Sequence, residues 1–467
     1  MSRKAVFALF SLVVCLLLVG GWGCGGDDGS GNDLRDSDRP GTNDVEPQDE
    51  GGTPGELLPV PEQSGVVYLS HYHSEELRYY RVDGDTPKDA GSIDLGSVTK
   101  DLALDPHNDL LFVALDQTRE VVIYRVSRPE SADDEVAEPE ELARIDAPGD
   151  KVPHFVRVNP RRQRLYVVVS PPFSEKAAKD LVTEYTLLAY DISDPEAPKT
   201  IEGSPYTIPV TAEWDLDAGR DLLFVVNFKG KRLHVYDLRG DGFKELEGEP
   251  LDLQKLYPEE NHMAFTPRTL AVDPYRSRLY AARSQADLSE LIAFEYPSAL
   301  PTKSDGYAKL ATYSDLQRLD DPFDTEIDSL ERPNLLDAFV PMVDLERGYV
   351  FLSSGAYAGM HGIRAMVTAM DEDLSLGKGC DDFEGFGCWY QAFDNGKPDY
   401  KLVTDGAACV DYTHRVVVGT SYDVGDESLP GNALFFRYED DLSMTPWLPE
   451  DEKLLRAGAL PISAVCH

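Results

Sequence analysis

The sequence predicts an all-β fold: a seven-bladed β-propeller closed by pairing of its N- and C-terminal strands, behind an export signal and an acidic tether. Three observations predict it. One strand–turn–strand unit recurs along residues 65–467, its turn opened each time by Asp or Asn, and a third strand follows each copy. No amphipathic helical stretch separates the copies. The first unit lacks its opening strand, and the last apolar run of the chain has the character of that missing strand.

Residues 1–23 read as a leader. Arg3 and Lys4 form a positive head, an apolar run follows from Ala5 to Val19, and small residues precede Cys24. That run falls short of the roughly 20 residues that span a bilayer as a helix. With Gly23 and Cys24 at the junction, the pattern resembles a bacterial lipoprotein signal. The resemblance implies cleavage before Cys24 and diacylation of its sulfur. Gly25 stands where the inner-membrane retention signal has Asp, so the resemblance further implies an outer-membrane address. Residues 24–64 are expected to be a tether. From residue 25 they hold 11 Asp and Glu against Arg35 and Arg39, with almost no large apolar side chain. Such a segment buries too little surface to offset its ordering entropy. Its Asp27, Asp28 and Asp33 lack the spacing and closing Glu of an EF-hand.

The repeat begins at Gly65. Its clear copies are LALDPHNDLLFVA (102–114), VRVNPRRQRLYVV (156–168), WDLDAGRDLLFVV (214–226) and LAVDPYRSRLYAA (270–282); weaker ones are PMVDLERGYVFL (341–352) and ACVDYTHRVVVG (408–419). The turn openers are Asp105, Asn159, Asp217, Asp273, Asp344 and Asp411. An Asx side chain accepts a bond from a backbone N–H two residues on and so starts a tight turn, which explains the recurrence without a catalytic role. Ahead of these copies, VVYLS (66–70) and LRYYRV (77–82) read as second and third strands, and LPISAVC (460–466) as their missing first strand. Pairing them closes the ring and removes exposed sheet edges.

On these motifs the chain resembles the YVTN-type and lactonase-like seven-bladed propellers over residues 65–467. The stretch AYDISDPEAP (189–198) also resembles LVIVD-type repeats of bacterial surface proteins.

Beyond Cys15 in the leader and Cys24, four cysteines remain: Cys380, Cys388, Cys409 and Cys466. Four cysteines allow three pairings. Cys380 and Cys388 bracket a Gly-rich loop short enough to close readily, and a disulfide between them is expected. Cys409 lies on the first strand of the last blade and Cys466 on the closing strand, and neighbouring inner strands of a closed ring could be bridged; the alternative is two buried thiols. No CxxC pair points to zinc.

Chemistry is sparsely marked. There is no P-loop, GxGxxG, HExxH, GxSxG or CxxCH. Placement is the remaining guide, since propeller ligands bind on the rim formed by the loops after second strands and before first strands. There the lactonase-like resemblance points to His154, Glu213 and Arg268 as candidate catalytic groups, and His71, His73, His262 and His361 as candidate ligands of a divalent metal. No cofactor is otherwise expected. The leading expectation is an exported, monomeric, lipid-anchored binding module for a protein or small molecule. The alternative is a lactonase-like hydrolase of a sugar-derived lactone.

Charge narrows the partners. The chain has 467 residues, 84 Asp and Glu against 44 Lys and Arg, and a net charge of −40. The leader contributes +2 and the tether −9, which leaves −33 on the propeller (−40 − 2 + 9). A nucleic-acid partner requires the opposite sign. Contact with the membrane is expected through the lipid alone.

Overall fold

The computed structural model describes residues 57–467 apart from 72–73, 130, 132–133, 172–183, 210, 228–231, 240–242, 254–266, 286–287, 298–316, 319–324, 327–333, 358–363, 374–387, 392–401, 404–407, 424–430, 448–454 and 459–460. Among these residues there is no helix, and the strands form antiparallel sheets arranged as a propeller. Seven sheets are present among the described residues. Their inner strands are Pro461–Cys466, Thr99–Asp105, Val152–Asn159, Thr211–Asp217, Pro267–Asp273, Asn334–Val343 and Cys409–Asp411. Each packs beside the next, and the last packs beside the first, so the ring is closed.

Chain order runs outward within each sheet, as the Thr99–Asp105, Leu110–Leu115, Glu120–Arg125 and Glu140–Asp146 sheet illustrates. The first sheet is the exception. Its inner strand is the C-terminal one, with Val67 opposite Cys466 and Ser70 opposite Ser463 on the Val66–His71 strand. The predicted closure of the two chain ends is therefore present. Apolar side chains fill the spaces between sheets. One cluster joins Phe224, Val226 and Val235 to Leu279, Ile292 and Phe294 of the next sheet; another joins Val67, Leu69 and Tyr80 to Val416, Val418 and Phe435 across the chain ends.

The Asx turns share one construction. Asp105, Asn159, Asp217, Asp273, Asp344 and Asp411 are all buried. Each accepts the backbone N–H three residues on, as from Arg220 to Asp217 at 2.9 Å and His414 to Asp411 at 2.9 Å, and several also accept the N–H two residues on. Four residues on, the backbone turns left-handed: Asp109, Gln163, Asp221, Ser277, Gly348 and Arg415 all have φ between 49° and 77°. At four turns the third residue is an arginine that reaches the following sheet. Arg162 bonds Asp221, Arg220 bonds Ser277, Arg276 bonds Leu345 O, and Arg347 bonds Tyr412 O, at 2.7–3.2 Å. Gly348 leaves room for Arg276, whose Nε lies 2.1 Å from where a Cβ would stand.

The chain ends meet differently. A disulfide joins Cys409 to Cys466, with their Cα atoms 5.8 Å apart, and so ties the inner strand of the last sheet to that of the first. Cys380 lies outside the described residues, as does the side chain of Cys388 on the Cys388–Gln391 strand, and Cys24 lies outside them with the leader. Gln63 spans the same seam, donating from Nε2 to Val410 O at 3.0 Å and Cys466 O at 3.1 Å. Its Oε1 accepts Tyr412 N–H at 2.6 Å. The residues before it cross the turn face as a strap. Tyr275 donates its hydroxyl to Leu58 O and Tyr412 to Pro61 O, while Leu57 sits against Gly219, where any Cβ would collide with it at 1.9 Å.

Candidate functional site

A cavity of about 710 Å³ lies at the centre of the ring, lined by inner strands and by the strap. Inner-strand residues line this channel, and most of them are small or apolar, for example Ala103 and Leu270. Three consecutive inner strands carry charge instead: Asp101, then Arg157, then Glu213 and Asp215.

Arg157 is the hub. Its Nη1 donates to Asp101 Oδ2 at 2.9 Å and to Val156 O at 2.7 Å; Nη2 reaches Glu213 Oε1 at 3.4 Å, and Nε lies 3.4 Å from Asp215 Oδ1. The carboxylates are also held by backbone. Asp101 Oδ2 accepts Val156 N–H at 3.0 Å and its Oδ1 accepts the Ser463 hydroxyl at 3.1 Å. Asp215 accepts Val272 N–H at 2.8 Å and Leu216 N–H at 2.9 Å. Each thus links its own inner strand to the next, and Ser463 brings the closing strand into the group.

One guanidinium faces three carboxyls in a buried site, so they cannot all ionise cheaply. Burial, opposed by Arg157 and reinforced by Asp101, pushes Glu213 up to about 8. Burial also raises Asp101 and Asp215, with Arg157 acting against it. Burial thus favours the protonated form at all three carboxyls, and Glu213, at about 8, keeps its proton at neutral pH beside the fixed cation. A carboxyl that keeps its proton can donate it, and a neighbouring carboxylate can accept one.

The sequence-derived candidates fall in different places. Glu213 is in this cavity. His154 is not among the residues that line it; it stacks on Tyr185 at 5.8 Å between ring centres, and burial, then Lys100, lower it to about 4, so its imidazole is neutral. Arg268 lies on the Pro267–Asp273 strand with its side chain outside the described residues. His71 is fully buried; its ring nitrogens have no hydrogen-bond partner among the described residues, and burial, then Arg78, lower it to about 3. His73, His262 and His361 lie outside the described residues. Among the described residues no three His, Cys, Asp or Glu side chains group as metal ligands. Arg157 and Asp215 were not anticipated. Their signal was a charged residue two before the turn Asx, in VRVN and WDLD, where LALD and LAVD have Ala.

No family model and no curated protein matches the chain. Solved structures do. The periplasmic gluconolactonase PpgL of Pseudomonas aeruginosa aligns with a TM-score of 0.54 at 11% identity, covering 86% of this chain and 98% of that one. A putative 6-phosphogluconolactonase of Bacteroides fragilis aligns at 0.52 and 9%, covering 86% and 97%. A hypothetical selenium-binding protein of Sulfolobus tokodaii aligns at 0.53 and 12%, covering 87% and 94%. At these identities the likeness is one of fold: an all-β propeller.

Proposed function

We propose that the chain is a lactonase-like hydrolase, acting on a sugar-derived lactone in the central cavity. The observation that carries this reading is the Arg157 group, in which Glu213 keeps a proton while Asp101 and Asp215 flank the same cation. A carboxylate of the group takes a proton from the attacking water, Arg157 faces the developing oxyanion, and Glu213 protonates the ring oxygen as it leaves. The two lactonase neighbours support this reading over a binding module, for which no residue group speaks. Rates of acid release from glucono-δ-lactone, corrected for spontaneous opening, provide the test. Glu213→Gln is expected to lower kcat by about 10²-fold or more, and the native rate to fall as pH rises past about 8. Wild-type turnover no faster than the spontaneous reaction, or an unaffected Glu213→Gln, would sink it.

The reading extends to the whole chain: seven blades, supported by the seven sheets, and export on a lipid at Cys24 into the outer membrane. Mass spectrometry of the mature N-terminus tests the anchor, and an unmodified Cys24 would overturn it.

A further inference from the structure

We propose that the strap of residues 57–63 is the floor of the candidate site and selects a lactone with an alkyl substituent, its polar ring at Arg157 and its apolar end on the strap. This rests on the lactone reading above for the identity of the polar head. The cavity is two-sided along its depth. Asp101, Arg157, Glu213 and Asp215 stand two and four residues before their turns, towards the rim, whereas the strap lies beyond the turns against Gly219, Tyr275 and Tyr412. The strap brings Leu57, Leu58 and Pro61 into a lining that also holds Val158, Leu216 and Val410, with His107 and Arg161 among the turn residues. A volume of about 710 Å³ exceeds what a bare six-membered lactone fills. The strap is fixed as a floor must be. Hydrogen bonds from Tyr275 to Leu58 O and from Tyr412 to Pro61 O and Gln63 anchor it to the turns of two sheets, and Gly219 of a third admits Leu57. It crosses the turn face, so a ligand entering from the rim brings its apolar end to the leucines and its polar end to Arg157.

The test uses the full chain and two stable amides: δ-valerolactam, and the same ring carrying a pentyl chain. Calorimetry is expected to show the pentyl lactam binding at least ~10-fold tighter, since each buried methylene contributes several-fold. Leu58→Asp, and the milder Leu57→Ala should the first fail to fold, are expected to shrink that ratio, by about tenfold for the aspartate. A wild-type ratio near one, or a ratio retained in both variants, overturns the proposal. Strap-dependent binding of the pentyl lactam without hydrolysis of any lactone would remove the proposed reaction and leave the floor in place.

Discussion

The ring is held together in two ways, and the boundary between them is where the chain ends meet. At four junctions, from the third sheet to the seventh, an arginine three residues after the turn Asx reaches the next sheet. Across the seam, the corresponding residues are His414 and Asn108, which bond back to their own Asp411 and Asp105. There the ring is closed by a disulfide, the Gln63 bridge, and a bond of 3.0 Å between His467 Nε2 and Asp109. A repeat can encode its junction locally, because the clasp travels with the turn. The disulfide spans 57 positions, but the Gln63 and His467 links join residues about 350 to 400 positions apart, which no repeat supplies.

The largest effect is expected at a clasp. Arg220 pairs with Asp217 at 2.9 Å with both side chains nearly inaccessible, and Tyr296 donates to the same carboxylate. Arg220→Met leaves that carboxylate without its cation and is expected to cost about 3–5 kcal/mol in denaturant unfolding. A cost below that of cutting the disulfide would reverse the ranking of the two regions. Replacing Cys409 and Cys466 together by Ala is expected to cost about 2–4 kcal/mol under oxidising conditions. Gln63→Ala strips two carbonyls and one N–H of their partner; about 1–3 kcal/mol is expected. An unchanged unfolding midpoint would mean that the strap contributes nothing to closure.

The smallest effect separates the regions by pH. Burial lowers His414, but its hydrogen bond and attraction to Asp411 outweigh this, with Asp83 and Glu62 acting in the same sense, so its pKa is raised. A raised pKa means the protonated form is favoured by folding. The seam therefore keeps this contribution below the ordinary histidine value near 6.5 and loses it as pH rises through the higher folded value. A stability–pH profile of His414→Gln should be flatter than wild type between about pH 6 and 8, and identical slopes would remove the histidine from the seam.

Much of the fold was legible because its signals are short-range. The Asx residue, its N–H partners and the left-handed residue four places on all fall within one turn, so Asp217 to Asp221 carries its own geometry. The closing strand was legible as well, since LPISAVC is an unpaired apolar run in a chain whose first unit lacks one. The candidate site was legible only in part. Both Glu213 and His154 lie near the starts of inner strands, but only Glu213 lines the cavity.

By itself, then, the sequence determined the repeat, the turns, the acidity and the partners of the closing strand, all of which follow from local backbone preference and strand periodicity. Only the tertiary structure decided that Arg157, Asp101, Glu213, Asp215 and Ser463 form one group. Those residues lie on four inner strands, and the contacts from Arg157 to Asp101 and from Ser463 to Asp101 span 56 and 362 residues. The same closure raises Glu213, because burial and neighbouring charge, rather than anything in its sequence surroundings, set its pKa.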